Sequence, residues 1–246
     1  MDHREKLYER YASISGIELD DEHQSHYVQR KFVYKKVLET FFPSNRSSNI
    51  LDLGCGSGYF VQFAIGHGYD SVKGVDHSEE QVRLAHKRGV FEIECIDSLS
   101  YLRKTDSSTI DIVTSFDVIE HLTVAELLEI GVEIHRVLKP GGSWLIHTVN
   151  GSAPFFGDIR FGDLTHEQAF TNQSLSQLSS FIGFGQVRLM ESGPVVHGVF
   201  SFFRWILWKF INGLFRFMHA VETGEISSTK VWTRNFYAVM DKLPHL

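Results

Sequence analysis

The chain has 246 residues, enough for one α/β domain with added segments. Its 24 basic and 30 acidic side chains leave a formal charge of −6, which gives no general attraction to nucleic acid. Lys and Arg form no long run, no RNA-binding signature appears, and the start (Asp2-His3-Arg4-Glu5-Lys6) lacks the apolar core of a secretion signal.

Residues 1–47 mix charge with the spaced aromatics Tyr8, Tyr11, Tyr27, Phe32, Tyr34, Phe41 and Phe42. Gln29 to Thr40 reads as an amphipathic helix broken by Pro43-Ser44. This segment is a helical cap over a ligand or packing on a sheet edge, and both readings stand.

Ile50-Leu51-Asp52-Leu53 reads as a buried parallel strand, because apolar residues surround a single Asp. It runs into Gly54-Cys55-Gly56-Ser57-Gly58 and a helix from Phe60 to His67. A Gly-rich loop between a strand and a helix N-terminus lets a small molecule lie on the backbone. The spacing is G-x-G-x-G, whereas a dinucleotide loop needs G-x-G-x-x-G, and Tyr59 stands where a phosphate-cradling loop would carry Lys.

Val72 to Asp76 is a second strand ending in a carboxylate about 20 positions past the loop, where nucleotide folds hold the ribose diol. A carboxylate offers acceptors for both hydroxyls. The competing use of Asp76 is as a helix cap, a job for which Ser78 is also placed. Phe91 to Ser98 is the third strand, with Asp97 at its tip. Ile110 to Leu122 is the fourth strand with its exit loop.

Val137-Leu138-Lys139-Pro140-Gly141-Gly142 is expected to end a helix and turn into strand five, Ser143 to His147. After the loop Thr148–Thr171 comes a helix from Asn172 to Phe181, which Thr171 or Asn172 can cap. Gly185 to Met190 is strand six. The last strand, Lys230 to Met240, comes late, after an insert at 192–229.

The run Asp52-x-Gly54-x-Gly56-x-Gly58, then Asp76, Asp97, "FDVIEHL" (116–122) and "LKPGG" (138–142), stand in the order and spacing of class I S-adenosylmethionine (SAM) methyltransferases. Residues 48–150 resemble that family. The resemblance implies an α/β, Rossmann-like, mostly parallel seven-stranded sheet of order 3-2-1-4-5-7-6, with helices on both faces. Residues 1–246 would then form one domain, with N-terminal helices and a helical insert before the last strand. It implies SAM as cofactor and S-adenosylhomocysteine as product. The residues it assigns to the cofactor are Asp52, Gly54, Cys55, Gly56, Gly58 and Tyr59 around the loop, and Asp76 and His77 at the ribose. Asp97 and Ser98 fall to the adenine, and Phe116 and Asp117 to the end of strand four. A non-catalytic SAM-binding protein is the reading from another class. A dehydrogenase is disfavoured by the loop spacing.

Methyl transfer is an in-line displacement in which the protein mainly orients the acceptor. A sugar hydroxyl needs a base, and His titrates in the useful range. His166, in "GDLTHEQAF", is the first candidate, with Asp163 or Glu167 placed to orient its ring; a plain packing role at a helix start is the alternative. His121 is second and His147 third. No metal triad is legible, although Asp163, His166 and Glu167 could hold a cation weakly. Residues 156–178 and "TRNFYAVM" (233–240) are similar, more loosely, to methyltransferases of bacterial surface-polysaccharide and lipopolysaccharide clusters. That likeness implies O-methylation of a sugar on a surface or lipid-linked glycan. The runner-up acceptor is a polyprenyl phenol or quinone precursor.

In the insert, His197, Ser201, Arg204, Lys209, Asn212, Arg216, His219 and Glu222 share one sector of a helical wheel, and Phe, Ile, Leu and Met fill the rest. With Trp205 and Trp208 at the flank, this is the profile of a helix lying in a membrane interface, contacting it through 195–221. Burial against a protein partner is the alternative. Gly198 and Gly213 are possible break points. Topology puts this insert and the loop after strand five at the ligand end of the sheet. Cys55 and Cys95 read as reduced, buried thiols of a cytoplasmic protein, peripheral on the inner membrane face. The oligomeric state stays open.

Overall fold

A computed structural model describes residues 7, 11–14, 22–225 and 230–244. Readings made for residues 1–6, 8–10, 15–21 and 226–229, Tyr8 among them, lie outside the described residues.

After a single turn α1 (Tyr11–Ile14) and a long helix α2 (Glu22–Phe41), strands and helices alternate: β1 (Asn49–Leu53), α3 (Tyr59–Gly66), β2 (Ser71–Asp76), α4 (Glu79–Lys87), β3 (Ile93–Cys95), α5 (Ser98–Lys104), β4 (Ile110–Phe116), α6 (Val124–Val137) and β5 (Leu138–Val149). Then follow α7 (Gly157–Arg160), α8 (Asn172–Ile182), β6 (Arg188–Glu191), α9 (Val199–Thr223) and β7 (Asn235–Asp241). The sheet has seven strands in the order β3-β2-β1-β4-β5-β7-β6, as expected. β1 to β5 pair in parallel, and β7 runs antiparallel to both β5 and β6.

The core has two layers because the central strands are covered on both faces. On one side Leu51, Leu53, Val113, Trp144 and Phe236 pack with Leu127, Ile134 and Leu175 of α6 and α8. On the other, Ile50, Val72 and Leu145 pack with Phe60, Val61 and Ala64 of α3 and with Val37 and Leu38 of α2. The C-terminal half of α2 is therefore core, and Tyr34 lies edge-on to Phe60, ring centroids 5.5 Å apart. Helix starts follow side-chain caps. Ser78 accepts from the Gln81 amide, Thr123 and Glu126 form a capping box, and Thr171 with Ser174 caps α8.

Four expectations are corrected. Helix α6 stops at Val137, but no turn follows, because β5 starts at Leu138. Lys139 precedes Pro140, which favours extended backbone, and 139–142 form an irregularity where Ile110 pairs with Leu138 and Ile112 with Ser143. The edge strands are shorter than read: β3 keeps three residues and β6 four. Cys95 is exposed, since β3 is an edge strand, while Cys55 is half-buried and both are free thiols. Gly213 does not break the insert, because α9 is a single helix of 25 residues that begins just after Gly198.

Candidate active site

The glycine loop holds its shape through backbone contacts. Gly54 and Gly56 have φ of 64° and 54°. A Cβ on Gly54 would come within 2.5 Å of Val118 Cγ2, so the loop lies directly on the exit from β4. At Gly56 the nearest atom to such a Cβ is Gln81 Oε1 at 3.9 Å, so this backbone faces open space. The Gly56 amide donates to Asp76 Oδ2 (2.7 Å) and the Ser78 amide to Asp76 Oδ1 (2.9 Å). Burial raises the Asp76 carboxyl above its ordinary value, and these two amides pull against that. Asp76 thus ties the loop to the end of β2 and keeps a lone pair on each oxygen. Ser78, not Asp76, caps α4.

Below the loop, Asp52 is fully buried and accepts from Thr114 Oγ1 at 2.5 Å. Burial lifts its carboxyl to about 7, against the Thr114 hydrogen bond and with help from nearby Asp76. Arg88 stacks on the Tyr59 ring at 3.8 Å and donates to the Ser57 carbonyl, bracing the loop from behind. The carbonyl of exposed His77 accepts from Cys95 Sγ. Asp97 is exposed and caps α5 through the Ser100 amide at 2.8 Å, and Ser98 opens that helix. Beside the open face of Gly56, Gln81 Oε1 is a buried acceptor with no hydrogen-bond partner among the described residues. An unpaired buried acceptor is costly unless a donor reaches it.

A second group of side chains sits at the end of β4. Asp117 holds a φ of 56°, uncommon outside glycine. Its Oδ1 meets His147 Nδ1 at 2.8 Å, and His147 Nε2 meets Ser192 Oγ at 2.9 Å. Desolvation would raise the Asp117 carboxyl, but His147, Arg30 and His121 outweigh it and hold it below the usual range. Arg30 hydrogen-bonds Tyr34, so α2 delivers a cation and a phenol to this corner. Burial opposes the Arg30 charge; Tyr34, Asp117 and Tyr237 more than offset this. Phe116 lies edge-on to Phe60, centroids 4.9 Å apart.

The three residues expected to be catalytic come together. His121 Nδ1 lies 2.8 Å from Thr165 Oγ1, which donates to Asp163 Oδ1 at 2.6 Å. Because the Thr165 proton goes to Asp163, His121 Nδ1 must be the donor to Thr165. The His121 and His166 rings are 4.6 Å apart. His166 Nδ1 bonds the Ile159 carbonyl at 2.8 Å, so it carries the proton and Nε2 presents the lone pair. The ring of His166 is thus set by Ile159, and the Asp163 carboxylate acts through Thr165 on His121. Burial, then the charge of His166, lowers the pKa of His121. His147, with both nitrogens engaged, is the least available of the three histidines. No group of three His, Cys, Asp or Glu among the described residues could hold a metal ion.

Two contributors carried no sequence reading. Glu120 is buried, accepts from Thr148 Oγ1 at 2.8 Å, and its carbonyl takes the amides of Glu167 and Gln168, pinning the His166 loop. Burial and then Asp117 push its carboxyl up to about 8. The only local signal was a Glu inside the apolar run of "FDVIEHL". Arg30 gave none, since nothing in 1–47 says which of its cations lies beside Tyr34 and Asp117.

Residues 50–142 match the family described as methyltransferase domain. A probable S-adenosylmethionine-dependent methyltransferase of Mycolicibacterium smegmatis is 36% identical over 104 residues, 42% of this chain and 38% of that protein. A ubiquinone biosynthesis O-methyltransferase of Neisseria meningitidis is 28% identical over 111 residues, 43% of this chain and 45% of that one. The chain therefore spans less than half the length of these curated relatives. The crystal structure of a SAM-dependent methyltransferase from Archaeoglobus fulgidus superposes with a TM-score of 0.64 at 18% identity, over 91% of this chain and all of that one, a likeness of fold.

Proposed function

We propose that this chain, whose residues 50–142 form a methyltransferase domain of Rossmann-like class, moves a methyl group from S-adenosylmethionine to a hydroxyl oxygen. The cofactor, when bound, supplies a methyl group activated by its sulfonium. The residues placed to hold it are the 54–58 backbone, Asp76 with its remaining lone pairs, and Gln81, whose orphaned Oε1 faces the same open space as Gly56. Asp97 keeps acceptor capacity beyond its helix cap, and Arg30 with Asp117 offers a cation and an anion at the β4 end.

One observation carries the reading. Gly54 rests on Val118, three positions before His121, so the ligand loop and the histidine pair are two sides of one exit from β4. His166 takes the acceptor proton at Nε2 while Ile159 fixes its ring. Burial and the neighbouring His166 lower the pKa of His121, whose Nδ1 is engaged with Thr165. Glu120 and Thr165 hold the loop that brings the two rings together.

The acceptor class favoured by the relatives is a prenylated phenol, since ubiquinone biosynthesis O-methyltransferases of several organisms match this chain. A sugar hydroxyl of a surface or lipid-linked glycan is the second reading. It rests on the loop 156–178, which lies outside residues 50–142. The test is to mix the purified chain and S-adenosylmethionine with a short-chain prenyl catechol or a lipid-linked sugar, and follow S-adenosylhomocysteine by mass spectrometry. Turnover with either assigns the acceptor. Cofactor binding by calorimetry without turnover on any hydroxyl would make this a binding protein, and no binding would end the reading.

A further inference from the structure

Helix α9 is inside out. The polar sector that a surface helix usually turns to water faces the protein: Ser201 is 9% exposed and Asn212 4%. Asn212 Nδ2 donates to Glu191, Lys209 Nζ lies 3.3 Å from the same carboxylate, and Arg216 Nε donates to Asn212 Oδ1 (3.1 Å). The opposite face is bare. Phe200 is 92% exposed, Phe210 76%, Val221 71% and Phe217 65%. Among the described residues the fold holds the other side of α9 and leaves this stripe uncovered.

We propose that this face docks on the interfacial layer of an anionic lipid bilayer, with α9 lying in the plane of the membrane. The bare stripe runs from Phe200 to Val221 along a helix roughly 38 Å long, and a contiguous exposed apolar face of this kind marks an interaction surface. The charge of the helix selects the occupant. The chain is acidic overall, yet α9 carries three cations, Arg204, Lys209 and Arg216, against one acidic residue, Glu222 near its end. Arg216 is held on the protein side, but Arg204 and Lys209 are exposed at the edges of the polar sector; a second copy across a two-fold axis would set these two cations against their counterparts, whereas anionic headgroups complement them. Trp205 is partly exposed at the margin of the stripe, 5.8 Å below Lys209 Nζ. An amphipathic ring beside a half-exposed lysine suits a helix at a lipid–water boundary. No described helix is long and apolar enough to cross a membrane, so α9 rests on it.

The apolar surface continues toward the histidines. Phe155 is exposed and touches Phe215 of α9, centroids 6.4 Å apart, and Phe161 and Leu164 stand out from the loop that carries His166. The docking proposal does not rest on methyl transfer, and its readout is physical.

The test is co-sedimentation of the full chain with phosphatidylcholine–phosphatidylglycerol vesicles and with pure phosphatidylcholine. The chain is expected to pellet with the anionic vesicles, less so with neutral ones or at high salt. The combined substitution Phe203→Glu, Phe210→Glu and Phe217→Glu is expected to lower the bound fraction more than about tenfold. The three positions are solvent-exposed, and an unchanged melting curve verifies the fold. Brominated lipid added to the unsubstituted chain gives a reading without any variant: quenching of Trp205, the most exposed tryptophan, is expected. Failure to pellet, pelleting unaffected by the three glutamates, or unquenched tryptophan would overturn the proposal. A dimer in sedimentation velocity that the three glutamates convert to monomer, with no vesicle binding, would overturn it in favour of a second copy.

Discussion

Gly54 and Gly213 are the same residue in opposite settings. Gly54 carries a positive φ and would drive a Cβ into Val118, so the loop around it has one solution. Gly213 sits in mid-helix on α9, and a Cβ placed on it would meet nothing within 4 Å. The contrast extends to their surroundings. The glycine loop is tied down by the Gly56 amide donating to Asp76 and by Arg88 donating to the Ser57 carbonyl, whereas α9 turns Asn212 inward to Glu191 and offers its apolar side outward. The first region is specified by close approach of backbone, the second by what the surface meets.

The sharpest cut is made at the histidines. If His166 serves the acceptor side as proposed, His166→Ala is expected to lower kcat about 10²- to 10⁴-fold with cofactor affinity unchanged. An equal loss in calorimetric affinity would move His166 to the cofactor side. Next comes the loop anchor. Asp76→Ala removes the acceptor for the Gly56 and Ser78 amides as well as any ribose contact, and is expected to weaken S-adenosylmethionine binding by roughly 1.5–3 kcal/mol in titration calorimetry. Gly54→Ala probes the same region through stability: the strained φ and the Val118 clash are expected to cost about 1–3 kcal/mol in denaturant unfolding.

Smaller effects sharpen the contrast. Glu120 has its folded pKa near 8 against an ordinary value of 4.5, so the folded state holds a proton the unfolded chain has lost between those values. The stability this contributes is full below pH 4.5 and is lost as pH rises through 8. The Tm of the unsubstituted chain is therefore expected to fall between about pH 5 and about pH 8, and Glu120→Gln, which cannot ionise, to flatten that fall. At the other end of the scale, Gly213→Ala is expected to stabilise the chain by about 0.5–1 kcal/mol, since α9 gains a helix former at an open position. A loss of stability there would show that a neighbour closes on the helix.

The parallel half of the molecule was legible because its signals are local. Alternating glycines, a carboxylate after β2 and apolar strands each constrain a few adjacent residues, and the strand order came with the resemblance they carry. Strand ends at β3 and β6 were not legible, because pairing stops where the partner stops. The LKPGG stretch misled for the same reason, since the neighbouring strand captures backbone that its own chemistry would turn.

By itself the sequence determined the glycine loop, the Asp at the end of β2, the histidines as candidates and the amphipathic character of 199–221. Tertiary structure alone decided that Asp163 reaches His121 through Thr165, that Arg30 and Glu120 belong to the site, and that α9 turns its polar face inward. The physical reason is range. Backbone conformation and periodicity are written in neighbouring residues, but a hydrogen bond between positions 121 and 165, or between 191 and 212, exists only after the sheet has brought them together.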